Sequence, residues 1–154
     1  MSLSANRLHL VEALNGIRQL SVCVVGHSIG STINLGFGAT EPRRYAKRRS
    51  GKRRTGYSRI AKRDLFLASA AWELRGPNGY SLRSSDNPRR IAKEIELMIG
   101  TIVVGTQLRG FRQQAEIRFA GGATLRFRPD HSEDNGGWNF KVGGSYLFAS
   151  GLSS

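Results

Sequence analysis

The chain has 154 residues, 24 of them Lys or Arg and 11 Asp or Glu, for a formal net charge of +13. Its single cysteine, Cys23, excludes an internal disulfide, and its longest apolar run, Leu65 to Trp72, is far short of the roughly 18 residues a spanning helix needs. The length predicts one domain, residues 1–154, able to bury a sizeable core, and 19 glycines among short apolar alternations predict a β-rich body. Asn6, Arg7, His9 and Glu12 interrupt the apolar residues of the N-terminus, so no signal peptide is read there. The expectation is a soluble cytoplasmic protein without a membrane.

Ser4 to Asn15 predicts a short helix with Leu8, Val11 and Leu14 on one face and Gly16 as its stop. Strands are expected over Ile17–Val25 and Thr32–Phe37, joined by the turn Gly26-His27-Ser28-Ile29-Gly30. A third apolar run, Asp64 to Leu74, reads as one strand that Gly76-Pro77-Asn78-Gly79 turns into Tyr80–Arg83. Asn87-Pro88 offers an N-cap and a first helical residue for a central helix. That helix places Ile91, Ile95, Met98 and Ile99 opposite Arg90, Lys93 and Glu94 and ends at Gly100.

From Thr101 onward the pattern is β. Thr101–Leu108 is a strand, and Gln114–Phe119 pairs with Thr124–Phe127 across Gly121-Gly122. Ala115, Ile117, Phe119, Leu125 and Phe127 share one face of that hairpin, with Glu116, Arg118, Arg126 and Arg128 on the other. A polar loop over Pro129–Gly137 leads to strands Trp138–Val142 and Tyr146–Ala149. The predicted core is Val22, Val24, Ile33, Leu35, Leu65, Leu67, Trp72, Ile91, Ile95, Val103, Ile117, Phe119, Leu125, Phe127, Trp138 and Phe140. The fold class is therefore α+β: a mostly antiparallel twisted or barrel-like sheet with one short N-terminal helix and one central helix.

One segment stands apart. Between Glu41 and Asp64 the run RRYAKRRSGKRRTGYSRIAKR holds eleven Lys/Arg and no acid, while the other residues carry 13 basic and 11 acidic groups. Such a run repels itself and attracts any polyanion within a Debye length of roughly 8–10 Å. Residues 41–64 read as a flexible basic loop inserted between two strands. A charge run is often only a solvated loop, yet this one is interior and rich in arginine, whose fork matches phosphate oxygens. The candidate phosphate ligands are Arg43, Arg44, Lys47, Arg48, Arg49 and Lys52, followed by Arg53, Arg54, Arg59, Lys62 and Arg63. Tyr45 and Tyr57 add rings on which bases could stack. Arg89, Arg90, Arg126 and Arg128 are candidate secondary contacts.

Other motifs carry less. Gly26-His27-Ser28-Ile29-Gly30 matches G-x-S-x-G, but a nucleophile elbow leads into a helix, and Ser31-Thr32-Ile33-Asn34-Leu35 is β-branched and alternating. Asp130 and His131 are adjacent, which suits no triad. Asp130-His131-Ser132-Glu133-Asp134-Asn135-Gly136 lacks the glycine and the bidentate glutamate of a calcium loop. Three scattered histidines and one cysteine give no zinc spacing, and neither a Walker loop nor a dinucleotide fingerprint is present.

Ile33-Asn34-Leu35-Gly36-Phe37-Gly38 closes a strand on F-G, and Ile117 to Gly144 runs as a hairpin, a Pro-Asp loop, Trp138-x-Phe140 and a Gly-rich end. In these motifs the chain resembles a largely uncharacterised group of small bacterial β-rich domains, some of immunity-protein type, here with a basic insertion. The resemblance implies the β-rich fold and, for function, an immunity role. From the residues themselves the leading expectation is a non-enzymatic accessory protein that associates with nucleic acid, DNA or RNA, through the Arg-rich segment. The alternative is an immunity- or inhibitor-type, phage or defence-system protein that sets the same segment on a partner protein with an acidic surface. Neither reading includes catalytic residues, metal, cofactor or small-molecule substrate.

Overall fold

Period-2 alternation broken by glycine turns dominates the chain, and the structure converts it into ten strands and two helices. The computed structural model describes residues 3–28, 30–49, 52–68, 70–110, 114–129, 137–143 and 145–150; for 3–6, 41–49, 52–60 and 148–150 it describes the backbone alone. In order the elements are α1 (Leu3–Asn15), β1 (Val22–His27), β2 (Ile33–Arg49), β3 (Lys52–Leu67), β4 (Ala70–Arg75) and β5 (Ser81–Arg83). Then come α2 (Pro88–Glu94), β6 (Val103–Arg109), β7 (Gln114–Phe119), β8 (Thr124–Pro129), β9 (Gly137–Val142) and β10 (Ser145–Ser150). The fold is α+β and mostly antiparallel, as the pattern predicts.

The strands form two five-stranded sheets, in the orders β1-β2-β3-β9-β10 and β5-β4-β8-β7-β6, rather than one barrel-like sheet. A short ladder joins them along one side. The Val22 amide donates to the Thr101 carbonyl at 2.8 Å, the Gly100 amide to Val22 at 2.8 Å, and the Val103 amide to Leu20 at 2.9 Å. No other pairing links the two sheets among the described residues, so they do not close into a barrel.

The expected strand Asp64–Leu74 is two strands. β3 ends at Leu67 in the first sheet and β4 begins at Ala70 in the second. Leu65, Leu67, Ala70, Trp72 and Leu74 are all buried in one cluster that both sheets share, so an uninterrupted apolar run gives no sign of the crossing. Trp72 anchors it: its Nε1–H donates to the Ser31 carbonyl at 2.9 Å, tying β4 to the turn before β2.

α1 stops as predicted and starts one residue earlier, but of the predicted face only Leu14 is fully buried. Leu10, Ala13, Leu14 and then Ile17 lie in the core, Val11 is half-buried and Leu8 is 58% exposed. The helix packs beside β6, where Arg7 Nη1 donates to the Gly110 carbonyl at 2.6 Å and Arg18 reaches Thr106. These bonds occupy carbonyls that an edge strand would otherwise leave open. The strand predicted over Ile17–Val25 begins only at Val22, because 17–20 is the turn that brings α1 to the seam.

The central helix follows its N-cap prediction, with Asn87 Oδ1 accepting from the Arg89 amide at 2.9 Å. It tightens after Glu94 into a 3-10 turn over Ile95–Met98, so Ile91, Ile95 and Met98 are buried while Ile99 swings out to 52% exposure. The β7–β8 hairpin forms as expected, and its register sets Ile117 opposite Leu125 and Ala115 opposite Phe127. Every predicted core residue is buried except Val24, which is half-buried.

Candidate nucleic-acid interface

The basic segment, read as an inserted loop over 41–64, is instead the far end of the β2–β3 hairpin. Paired register positions run without a break from Thr40–Ala61 to Arg49–Lys52, ten pairs in all, with Ser50 and Gly51 outside the described residues. The physical reason is that the ladder is made by backbone amides and carbonyls, which any residue but proline supplies. A stem already fixed in the core therefore carries pairing outward even where side chains repel. Tyr45, Thr55 and Tyr57 favour extended backbone.

The ribbon separates from the sheet at an irregularity between Phe37 and Thr40, where Gly38 takes φ +83° and its amide donates to Ser21 at 2.9 Å. A side chain there would be strained, and a bulge of this kind re-aims a strand. β1 pairs with β2 only as far as Phe37, and β9 pairs with β3 only from Arg63. Among the described residues, 41–49 and 52–60 are therefore in strand pairing with each other alone.

The register is electrically one-sided. Arg48 is the partner of Arg53, Lys47 of Arg54 and Arg49 of Lys52. Like charges directly opposite destabilise a sheet, so the last three pairs disfavour the hairpin unless an anion screens them. Tyr45 is paired with Gly56 and Arg44 with Tyr57. These are adjacent register positions.

Two sequence candidates are not part of the ribbon. Lys62 and Arg63 lie in the body portion of β3: the Lys62 carbonyl accepts from the Gly143 amide at 3.0 Å, and Arg63 is the register partner of Val142. Arg63 lines a hollow with Glu12, Gly16 and Leu147 beneath α1. The boundary of the basic insertion thus moves back to residue 60. Asp64, next along, is buried on β3, where it accepts from Asn34 Nδ2 at 3.3 Å. Burial lifts its carboxyl above the ordinary value, against smaller lowering effects of that hydrogen bond and of Lys141.

The secondary candidates divide. Arg126 and Arg128 are exposed on the second sheet and line a hollow of about 280 Å³ with Arg75, Arg83, Ser84 and Gln114. Glu73 stands among them, its carboxyl lowered from the ordinary value first by its hydrogen bond from Arg75 and, against a smaller opposing effect of burial, by the Arg75, Arg83 and Arg126 charges. Arg126 Nε also donates to Glu116 at 2.8 Å. Arg75 and Arg83 were not among the sequence candidates. Their signal was the cross-strand pairing of Glu73 with Arg83 over the Gly76–Gly79 turn, which needs the register to be seen. Arg89 and Arg90 do not line this hollow. Arg90 is held by Glu94, by Asp86 at 3.3 Å and by the Ser81 carbonyl at 3.0 Å.

Ser28 lies exposed between two strands, its amide donating to the Thr32 carbonyl at 3.0 Å, and His27 Nε2 is 2.8 Å from the Gly30 carbonyl. A strand–turn–strand offers no helix N-terminus to an oxyanion. Cys23 is half-buried, and its burial pushes the thiol pKa up, away from reactivity. Among the described residues no group of three His, Cys, Asp or Glu is placed to hold a metal ion, and no helix is long and apolar enough to cross a membrane. The loop 130–136 lies outside the described residues.

No protein-family model, curated protein or solved structure matches this chain. Function has to be argued from its own residues.

Proposed function

We propose that this protein associates with nucleic acid, as a non-enzymatic accessory or regulatory protein, through the basic ribbon formed by the outer halves of β2 and β3. One observation carries the reading: the hairpin register sets Lys47, Arg48 and Arg49 opposite Arg54, Arg53 and Lys52. Three consecutive basic pairs weaken an isolated hairpin, and a phosphate chain supplies the missing counter-charge. The surplus cations become favourable only when a polyanion lies along them. The exposed Arg126 and Arg128 add a second basic surface on the other sheet.

The test is salt dependence. Residues 41–60 hold nine Lys/Arg. If about half of them engage phosphates, the log–log slope of affinity against salt is about −4 on B-DNA, and a fourfold rise in salt weakens binding by roughly two- to three-hundredfold. Replacing Arg48, Arg49, Arg53 and Arg54 together with Gln flattens the slope by up to about 3.6 units. Binding that the quadruple substitution leaves unchanged puts the site elsewhere. Absence of binding at low salt favours an acidic protein partner instead.

A further inference from the structure

We infer that the ribbon's ligand is double-stranded DNA in the B form, taken in its major groove. This rests on the nucleic-acid reading above and adds to it the class of nucleic acid.

Four features carry it. The ribbon has two strands and no third, since 41–49 and 52–60 are in strand pairing only with each other among the described residues. A two-stranded ribbon with side chains is roughly 10 Å thick, which the B-DNA major groove, about 12 Å wide, admits without distortion, whereas the minor groove, about 6 Å wide, takes a ribbon only at the cost of bending or widening the duplex. Ten register pairs extend over about 30 Å at a strand's rise, close to one helical turn of about 34–36 Å. The ribbon can therefore follow the groove for most of a turn.

Charge distribution points the same way. Basic residues occupy both odd and even positions of both strands, Arg43 and Arg44 on β2 and Arg53 and Arg54 on β3 among them. Strand alternation then leaves neither face of the ribbon uncharged. A groove with phosphates on both walls satisfies both faces at once. A flat or single-sided ligand satisfies one.

The two tyrosines argue against a single strand. Tyr45 and Tyr57 belong to adjacent register pairs, Tyr45–Gly56 and Arg44–Tyr57, and adjacent pairs alternate between faces. They do not make the common platform on which successive unpaired bases stack. Duplex RNA fits poorly for a different reason. Its A-form major groove is deep and too narrow for side chains to read, and its minor groove is wide and shallow, with no slot for a ribbon.

The experiment compares three probes by fluorescence anisotropy at one low salt concentration: a DNA duplex of about 20 base pairs, the RNA duplex of the same sequence, and one DNA strand alone. The expected result is DNA duplex binding at least about tenfold tighter than either other probe. Methyl green, a major-groove ligand, should displace the protein, and netropsin, held in the minor groove, should not. RNA duplex or single strand bound as tightly as DNA duplex overturns the inference while leaving nucleic-acid association intact. Displacement by netropsin in place of methyl green overturns the groove assignment. Failure to bind any probe removes the nucleic-acid reading itself.

Discussion

Phe127 and Trp138 meet edge to face, their ring centroids 5.0 Å apart and their planes at 88°. Phe127 comes from β8 in one sheet and Trp138 from β9 in the other, and each is 1% exposed. The pair ties together two sheets that no ladder joins on that side among the described residues.

Trp138→Ala and Phe127→Ala should each destabilise the protein by about 3–5 kcal/mol, the usual cost of emptying an aromatic site in a core. The double variant should fall short of additivity by about 0.5–1.5 kcal/mol, the worth of an edge-to-face contact beyond burial. Urea denaturation of the four proteins measures both. Strict additivity would mean that the rings fill space without interacting.

Replacing residues 41–60 by Asn-Gly, so that Thr40 and Ala61 flank a two-residue turn, should preserve cooperative melting. The body keeps every residue that is buried among those whose side chains are described. Removing 43–63 instead takes away Ala61, 3% exposed, and the Arg63–Val142 register pair. That shorter protein should melt lower by about 5 °C or more. Calorimetry on the two deletions distinguishes a ribbon built on the fold from one built into it.

Asp64 gives a pH dependence of definite sign. Its folded pKa lies above the ordinary value of 3.8, chiefly because burial opposes the charge. The folded protein then binds more protons than the unfolded chain between 3.8 and the raised value, so stability falls as pH climbs through that window. Asp64→Asn should melt higher than the wild type at pH 7, and the difference should close once both side chains are uncharged in acid. A wild type that is the more stable protein at pH 7 would show that Lys141 and Asn34 outweigh burial.

Ser28→Ala should leave binding and stability unchanged, because Ser28 lies exposed in a turn between two strands, where no helix N-terminus follows it to hold an oxyanion. Labelling of the wild type by a fluorophosphonate probe, abolished in the variant, would contradict this and mark Ser28 as a nucleophile.

Local features of this fold were legible in the residues. The β7–β8 hairpin is encoded by alternation on both sides of Gly121-Gly122, both at positive φ, and α2 by Asn87 as N-cap with Pro88 behind it. The place and sign of the candidate site were equally plain, because eleven cations without an acid need no structure to be noticed. Such signals lie within a few residues of each other, where the physics is short-range.

What the tertiary structure decided depends on partners distant in the chain. α1 has two adjacent apolar stripes of similar quality, and docking against β6, β9 and β10 chose Leu10, Ala13 and Leu14 over Leu8. The run from Leu65 to Leu74 is mostly apolar, and only the packing of two sheets on one core ends β3 at Leu67 and starts β4 at Ala70. The basic segment carries no apolar pattern to mark it as strand, since its pairing uses backbone groups propagated from a stem that β1 and β9 hold. Side-chain pattern records burial. It is blind to a ribbon that leaves the core, and that ribbon is where the proposed function lies.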